Sequence, residues 1–99
     1  MSAYLLASIE VTDPVGYDEY KRGVSATIAT YGGSYLVRGG AIETLEGDWQ
    51  AKRTVLLEFP SFEQLKRWYE SPEYQPLRAI RERCARSTLI AMEGVIVGQ

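Results

Sequence analysis

The stretch that decides the fold is Arg53-Thr54-Val55-Leu56-Leu57-Glu58-Phe59-Pro60-Ser61-Phe62-Glu63-Gln64. Its first part, up to the phenylalanine before the proline, reads as a strand with large apolar side chains on both faces, Leu56 on one and Leu57 on the other. Proline then ends the strand, because it has no backbone N–H to donate. Ser61 followed by Gln64 matches a capping box, in which the two residues satisfy each other's backbone donors. The stretch therefore predicts a strand that leads directly into a helix.

The same signals predict the other elements. Asp13 is a good N-cap, Pro14 suits the first helical position, and Gly32-Gly33 supplies a left-handed stop, so a helix is expected between them. The other predicted elements are the strands Tyr4–Val11, Ser34–Arg38, Ala41–Leu45 and Ser87–Val97 (with a bulge at Gly94), a loop over 47–52, a helix from Phe62 to before Ser71-Pro72, and a helix that restarts near Pro76. The order predicts an α+β fold of ferredoxin-like type, an antiparallel sheet with helices on one face, and residues 1–99 as one domain.

Apolar side chains on both faces of the predicted sheet indicate a partner. Leu5 and Leu6 of the first strand project from opposite faces of the sheet, and so do Leu56 and Leu57. In an antiparallel sheet with one solvated face, apolar and polar residues alternate more regularly. Helices can cover only one of the two faces. A second copy of the same sheet, related by two-fold symmetry, is the simplest cover for the other, so we expect a homodimer.

Composition narrows the range of functions. A net charge of −2 disfavours nucleic acid as a partner, and no apolar run approaches the length of a membrane span. No basic leader precedes the first strand, and the single cysteine, Cys84, has no partner within the chain, which together suggest a cytoplasmic protein. Without any histidine, a zinc site or a histidine-based triad is not expected, and we expect neither metal nor cofactor.

The turn Arg38-Gly39-Gly40 is the leading candidate for a binding site. A guanidinium beside a glycine turn can bind the carboxylate of a ligand, but it can also pair with Glu46, Glu58 or Glu10 of the protein itself. Both glycines can serve the turn alone, or can allow a ligand to approach the backbone closely.

Three further features have both a functional and a structural interpretation. Glu46 is a general base if burial raises its pKa, and otherwise a solvated or paired carboxylate. Tyr74 and Arg78, four residues apart, suit an oxygenated ligand or simply a helix junction. Trp68 and the tyrosines of the first helix, which include Tyr17 and Tyr20, can form an aromatic pocket wall or plain core.

Two features of the last helix are interpreted structurally. The arginines at 78, 81, 83 and 86, balanced by Glu82, are interpreted as ordinary pairs on the helix surface. Cys84 shares the apolar face of Leu77 and Ile80, so we expect a buried, inert thiol.

Several motifs in this order resemble the family called domain of unknown function 1330, within the dimeric α+β barrel superfamily. The motifs are Tyr17 with Tyr20, Arg38-Gly39-Gly40, Leu45-Glu46-Gly47, Glu58-Phe59-Pro60-Ser61, Trp68, and Ser71-Pro72-Glu73-Tyr74 followed by Arg78. The resemblance implies a ferredoxin-like fold, a face-to-face sheet dimer, and a cleft between sheet and helices in each subunit. It implies no particular activity. Superfamily relatives include cofactor-free monooxygenases, haem-degrading enzymes and lactone isomerases, and many of these use histidine, which this chain lacks.

These observations predict a small-molecule-binding homodimer whose ligand is a small oxygenated metabolite, anionic or aromatic. Arg38 is the expected anion anchor, Tyr74 and Arg78 are secondary polar contacts, and Trp68 lies in the apolar wall with the helix-one tyrosines. If the protein is an enzyme, we expect cofactor-free proton transfer or monooxygenase-like chemistry, with Glu46 as base and Arg38 stabilising a developing enolate. The alternative is a non-catalytic module whose sheet face and arginines serve dimerisation or partner docking.

Overall fold

The computed structural model of the protein describes residues 1–95, which form four strands and three helices. The strands are β1 (Ala3–Val11), β2 (Ser34–Arg38), β3 (Arg53–Phe59) and β4 (Ala85–Glu93). The helices are α1 (Pro14–Thr30), α2 (Phe62–Glu70) and α3 (Gln75–Cys84). The predicted alternation of strands and helices is confirmed, apart from the second member of the central strand pair.

One antiparallel sheet in the order β2-β3-β1-β4 contains all four of these strands. β1 lies at its centre, where Leu5 pairs with Leu57 of β3 on one side and with Ala91 of β4 on the other. The odd-numbered side chains of β1 from Ala3 to Ile9 are buried against the helices, as period-two alternation requires. The sheet with helices on one face is the predicted ferredoxin-like arrangement, which is confirmed.

The predicted helix ends are also confirmed. The Asp13 carboxylate accepts a hydrogen bond from the backbone N–H of Gly16 at 3.2 Å, and the Ser61 hydroxyl accepts one from Gln64 at 3.0 Å. At the other end of α1, Gly32 has a φ of 81° and its N–H donates to the Ala29 carbonyl. Only glycine adopts this conformation readily, so the helix ends where the sequence changes to glycine.

One predicted strand is absent, and the predicted bounds of another are wrong. Residues 41–45 form no strand: they are exposed and belong to a long connection over residues 39–52, here called the β2–β3 loop. A strand needs a neighbour for its backbone hydrogen bonds, and this segment pairs with none of the described strands. β4 begins at Ala85 rather than Ser87 and ends at Glu93, before the predicted bulge at Gly94, whose N–H donates to the Ser2 carbonyl. Residues 96–97 of the predicted strand lie outside the described residues.

The core between helices and sheet is rich in aromatic side chains. Trp68 is 1% exposed, its ring centroid lies 4.3 Å from that of Tyr74 and 5.5 Å from that of Phe59, and its Nε1 donates to the Thr27 hydroxyl at 3.0 Å. Cys84 is buried, as the apolar pattern of α3 predicted. Within residues 1–95, no helix combines the length and the apolar character needed to cross a bilayer.

The sheet face opposite the helices carries a row of aliphatic side chains that crosses all four strands. In register order the row is Val37, Leu56, Leu6 and Ile90, and we call it the outer aliphatic row. Val37 is 40% exposed and Ile90 is 47% exposed in the single chain. The structure thus confirms that large apolar side chains project from both faces of the sheet.

The β2–β3 loop extends to the same outer face. Its Trp49 lines a groove together with Leu6, Ser8, Thr88 and Ile90, yet remains 57% exposed. Leu45 of the same loop is 86% exposed. The loop therefore adds to the apolar surface on this side of the molecule.

Candidate functional site

A cavity lies between the helices and the inner face of the sheet. Its sixteen lining residues comprise eight aliphatic, four aromatic and four cationic side chains. Its volume is about 30 Å³, and one water needs about 10–15 Å³ on this measure. The cavity as it stands holds roughly two waters, and a larger molecule enters only if rim side chains move.

The charged side chains that line the cavity are all positive. Lys21, Arg38, Arg53 and Arg81 line the cavity, and no aspartate or glutamate does, although acidic residues outnumber basic ones in the chain by 13 to 11. Lys21 pairs with the exposed Asp18 at 3.6 Å. The three arginines form no ion pair with a carboxylate among residues 1–95. The lining therefore attracts anions.

Arg38 reaches the cavity because of an irregularity in β2. Tyr35 pairs with Leu57, but the register then shifts by one residue, so that Arg38 pairs with Val55. Leu57 and Val55 both face the core, so Tyr35 and Arg38 lie on the inner face although they are three residues apart. A bulge commonly re-aims a side chain in this way. The Arg38 Cζ lies 4.5 Å from the centroid of the Tyr35 ring, in a cation–π arrangement at the cavity rim.

The sequence suggested three acidic partners for Arg38, and the structure pairs it with none of them. Glu58 accepts a hydrogen bond from the Tyr4 hydroxyl at 3.3 Å, and Glu10 lies 4.0 Å from Arg86. Glu46 is exposed in the β2–β3 loop. The predicted ion pair is therefore not formed within the described residues.

Arg53 begins β3 and shares the inner face with Val55 and Leu57. Its Nε is buried and has no hydrogen-bond partner among residues 1–95. A buried donor without a partner is disfavoured by about 1–3 kcal/mol, and by more when it is charged. Such a group calls for an acceptor, and the described part of the chain supplies none for this atom.

Gly39 leaves room for the Arg53 guanidinium. Its φ is 69°, its N–H donates to the Thr54 carbonyl at 2.9 Å, and a Cβ at this position would overlap Arg53 Nη1. The expected close approach at Gly39 is therefore made by the protein's own guanidinium. Nothing lies within 4 Å of a Cβ built on Gly40, which leaves Gly40 with no contact that requires glycine.

Replacing Gly39 with Ala is expected to displace Arg53, and Gly47→Ala is the matched control. Gly47 also has a positive φ, 89°, but has nothing within 4 Å, so both variants are strained by about 1–3 kcal/mol and only one has a clash. The Arg53 Nε–H signal in a ¹H–¹⁵N spectrum should shift in Gly39→Ala and stay in place in Gly47→Ala. An unchanged Arg53 signal in both variants would contradict the contact.

Arg81 corrects the interpretation of the last helix. The sequence placed it among surface pairs, but it is 5% exposed and its Nε donates to the Tyr74 hydroxyl at 3.3 Å. Burial acts to lower the pKa of Arg81, but the adjacent phenols of Tyr74 and Tyr20 outweigh it, so the pKa is raised and the guanidinium stays charged. Two other members of the expected surface set do pair with each other: Arg78 Nε lies 3.4 Å from the Glu82 carboxylate.

Two tyrosines predicted for the pocket form a hydrogen-bonded pair beside Arg81. The hydroxyls of Tyr20 and Tyr74 lie 2.8 Å apart. Tyr74 is fully buried and does not line the cavity, but it contacts the lining residues Tyr20, Arg81 and Trp68, whereas Tyr20 lines the cavity directly. Burial, followed by the effect of Tyr74, raises the pKa of Tyr20 well above its usual value, so the Tyr20 phenol is neutral at physiological pH.

Tyr17 lies near both Arg53 and Arg81. It lines the cavity and stacks on Tyr20 with centroids 5.3 Å apart. Its pKa is raised by burial, while Arg53 and, more weakly, Arg81 act to lower it. Both guanidiniums are thus close enough to act on one phenol from different elements of the fold.

Of the predicted site residues, the structure brings Arg38, Trp68, Tyr17 and Tyr20 together around one cavity, with Tyr74 directly behind. Arg78 is not among the lining residues, since its Cζ stacks at 4.7 Å on the Tyr69 ring outside the cavity. Gly40 and Glu46 do not line it either.

Three cations of the lining were missed by sequence reasoning, and each had a signal. Lys21 is exposed but lies beside the buried stripe of α1, four residues after Tyr17, and Arg81 falls within the stripe of α3, four residues after Leu77. Arg53 is two residues before Val55 on a period-two strand. A cation at a core-facing position of a helix or strand was the pattern to look for.

Residues 2–95 match the family described as a domain of unknown function, DUF1330. The chain belongs to this family. The match confirms the resemblance seen in the motifs, and the family description assigns no activity. Comparison with curated proteins gives no match.

Solved structures of low sequence identity share the fold. A protein of unknown function from Rhodopseudomonas palustris superposes with a TM-score of 0.76 at 18% identity, over 96% of this chain and 83% of that one. SnoaB, a cofactor-independent oxygenase from Streptomyces nogalater, gives 0.64 at 11%, over 99% and 98%. A dimeric ferredoxin-like protein of unknown function from Jannaschia sp. CCS1 gives 0.65 at 13%, over 95% and 100%.

Proposed function

We propose that the chain binds a small oxygenated anion in the cavity between sheet and helices. The observation that carries this proposal is the lining, where four cations and no carboxylate surround an otherwise apolar space. A buried guanidinium without a counter-charge is strongly destabilising, so natural proteins pair such groups with an anion. Here a bound ligand is the counter-charge.

The cavity residues divide into three roles. Arg38 and Arg53 bind the anionic group, because they lie side by side at the β2–β3 edge and neither has a carboxylate partner in residues 1–95. Trp68 with Tyr17 and Tyr20 forms the aromatic wall. Arg38 and Lys21 are exposed at the rim and are long and flexible, so they can move to admit a ligand larger than the present volume of about 30 Å³.

The binding experiment compares thermal unfolding in a panel of carboxylates, sulfate and phosphate at constant ionic strength, with chloride as the reference. A ligand at 100 times its Kd stabilises the protein by about 2.7 kcal/mol. Arg38→Gln is expected to fold. It should need at least about ten times the ligand concentration to reach the same stabilisation as the unaltered protein. Arg83→Gln, an exposed change on α3, is the control and should keep it.

Two results would contradict the binding proposal. If no anion in the panel stabilises the unaltered protein relative to chloride, the cavity is not an anion site. If, in addition, Arg38→Gln separates the subunits, the arginine serves assembly, and the alternative of a non-catalytic interaction module is favoured.

We propose that two copies pair through their outer sheet faces. The outer aliphatic row and Trp49 leave an apolar surface open in the single chain. Two fold relatives, from Bacteroides fragilis and Jannaschia sp. CCS1, are described as dimeric. A second copy covers the row of one sheet with the row of the other, as expected for a two-fold interface.

Cofactor-free chemistry on the bound anion is a second candidate function. Tyr17 places a phenol near Arg53 and Arg81, and guanidiniums of this kind stabilise negative charge that develops on a carbonyl oxygen. The fold is shared with SnoaB, described as a cofactor-independent oxygenase. Glu46, the base expected from the sequence, is exposed outside the cavity, so this candidate relies on Tyr17 and the arginines instead.

A further inference from the structure

We propose that the ligand is a short dicarboxylate, whose two charged groups are bound at opposite ends of the cavity, one by Arg38 with Arg53 and the other by Arg81. This inference deepens the proposed binding of a small anion and rests on it. It makes Arg81 the residue that distinguishes a ligand with two charges from a ligand with one.

The arginines that line the cavity come from elements at the two opposite edges of the sheet. Arg38 and Arg53 belong to the neighbouring strands β2 and β3 at one edge. Arg81 belongs to α3, which packs on α1 and leads directly into β4 at the other edge. In the sheet, β1 separates β3, which carries Arg53, from β4, which follows the helix of Arg81.

One carboxylate cannot neutralise both ends. Arg81 is 5% exposed and the Arg53 Nε is buried without a partner, so each end needs an acceptor of its own. A guanidinium binds a carboxylate best through two parallel hydrogen bonds, which uses the whole group at one arginine. An anion bound only at the β2–β3 edge leaves a buried positive charge at Arg81.

Arg81 has donors left for a ligand. Its Nε is bonded to the Tyr74 hydroxyl, which is itself held by Tyr20. The terminal nitrogens have no hydrogen bond among residues 1–95 and are not fully enclosed, and Arg81 lines the cavity. The tyrosine pair fixes the orientation of the guanidinium and leaves its outer nitrogens free.

The space between the two ends suits an apolar spacer. Ala7, Val55 and Leu57 form part of the sheet floor of the cavity. A tetrahedral phosphate carries its charge at one centre and offers no spacer to this floor. A chain of a few carbons with a carboxylate at each end matches both the charges and the apolar strip.

The test uses the unaltered protein and pairs of probes of equal carbon number: malonate with propionate, succinate with butyrate, and glutarate with pentanoate. Inorganic phosphate is added as a single-centre anion. Dissociation constants are measured by isothermal titration at constant ionic strength, because salt screens such interactions. At least one dicarboxylate should bind at least about tenfold more tightly than its monocarboxylate partner, a difference of about 1.4 kcal/mol.

Arg81→Met should remove this preference and bring the dicarboxylate to within about twofold of its partner, while Arg83→Met on the same helix should not. If both members of every pair bind equally, the two-charge inference fails although the anion site stands. Phosphate that binds as tightly as the best dicarboxylate would overturn the two-ended arrangement. If no probe binds at all, the proposed function itself fails. The comparisons between probes use the unaltered protein, so they test the two-charge inference even if Arg81→Met does not fold.

Discussion

Replacing Ile90 with Asp is expected to convert the protein from two chains to one at micromolar concentration. Ile90 ends the outer aliphatic row and is 47% exposed in the single chain, so an aspartate there disturbs the fold of one subunit little. Between two packed sheets the same carboxylate is desolvated without a partner, which costs several kcal/mol. Each 1.4 kcal/mol weakens association tenfold, so the dimer Kd should rise by at least about 100-fold.

Sedimentation velocity measures this change directly. Val15→Asp is the control, because Val15 is 82% exposed on α1 and lies away from the outer face. It should leave the mass of the particle unchanged. Trp49 gives a second readout in a Trp68→Phe background, since its emission should shift to longer wavelength when the subunits separate. A single-chain mass for the unaltered protein would contradict the dimer.

Replacing Trp68 with Ala is expected to lower the free energy of unfolding by about 3–5 kcal/mol. The indole is 1% exposed, packs on Phe59 and Tyr74, and donates its N–H to Thr27. A domain of this size has only about 5–15 kcal/mol of stability, so the loss should lower the Tm by more than about 10 °C. The sequence left open whether Trp68 is core or pocket wall, and in the structure it is both.

Thr27→Val separates the packing of Trp68 from its hydrogen bond. The valine keeps the volume but removes the acceptor for the indole N–H, which should cost about 1–3 kcal/mol. Both variants are measured by urea denaturation at one protein concentration, because association affects the apparent stability. A loss below about 1 kcal/mol for Trp68→Ala would mean that the indole is a replaceable wall of the cavity rather than part of the core.

Much of the fold follows from local patterns in the sequence. Period-two alternation located β1 and β3, and Asp13, Ser61 and Gly32 located helix ends, because caps and turns depend on a few neighbouring residues. The segment 41–45 was mistaken for a strand because its composition resembles one. Whether a segment becomes a strand depends on a neighbour for its hydrogen bonds, and this information lies elsewhere in the chain.

The candidate site was predictable in part. Arg38, Trp68, Tyr17 and Tyr20 were named from the sequence and do surround one cavity. The register shift after Tyr35 that brings Arg38 to the inner face leaves no local signal, because it arises from pairing with β3. Charged side chains at core-facing positions, as at Arg53 and Arg81, were visible in the pattern. Their significance emerges only when several of them converge without a carboxylate.

We propose above all that the arginines of the cavity bind an anion. The most direct measurement is a ¹H–¹⁵N spectrum of the arginine Nε–H groups during titration with succinate, with chloride at equal ionic strength as the reference. The signals of Arg38, Arg53 and Arg81 should move together and saturate at one ligand per chain, while those of the exposed Arg67 and Arg83 stay within the chloride reference. Cavity signals that do not move with succinate or any other anion of the panel, or that move only in step with Arg67 and Arg83, would contradict it.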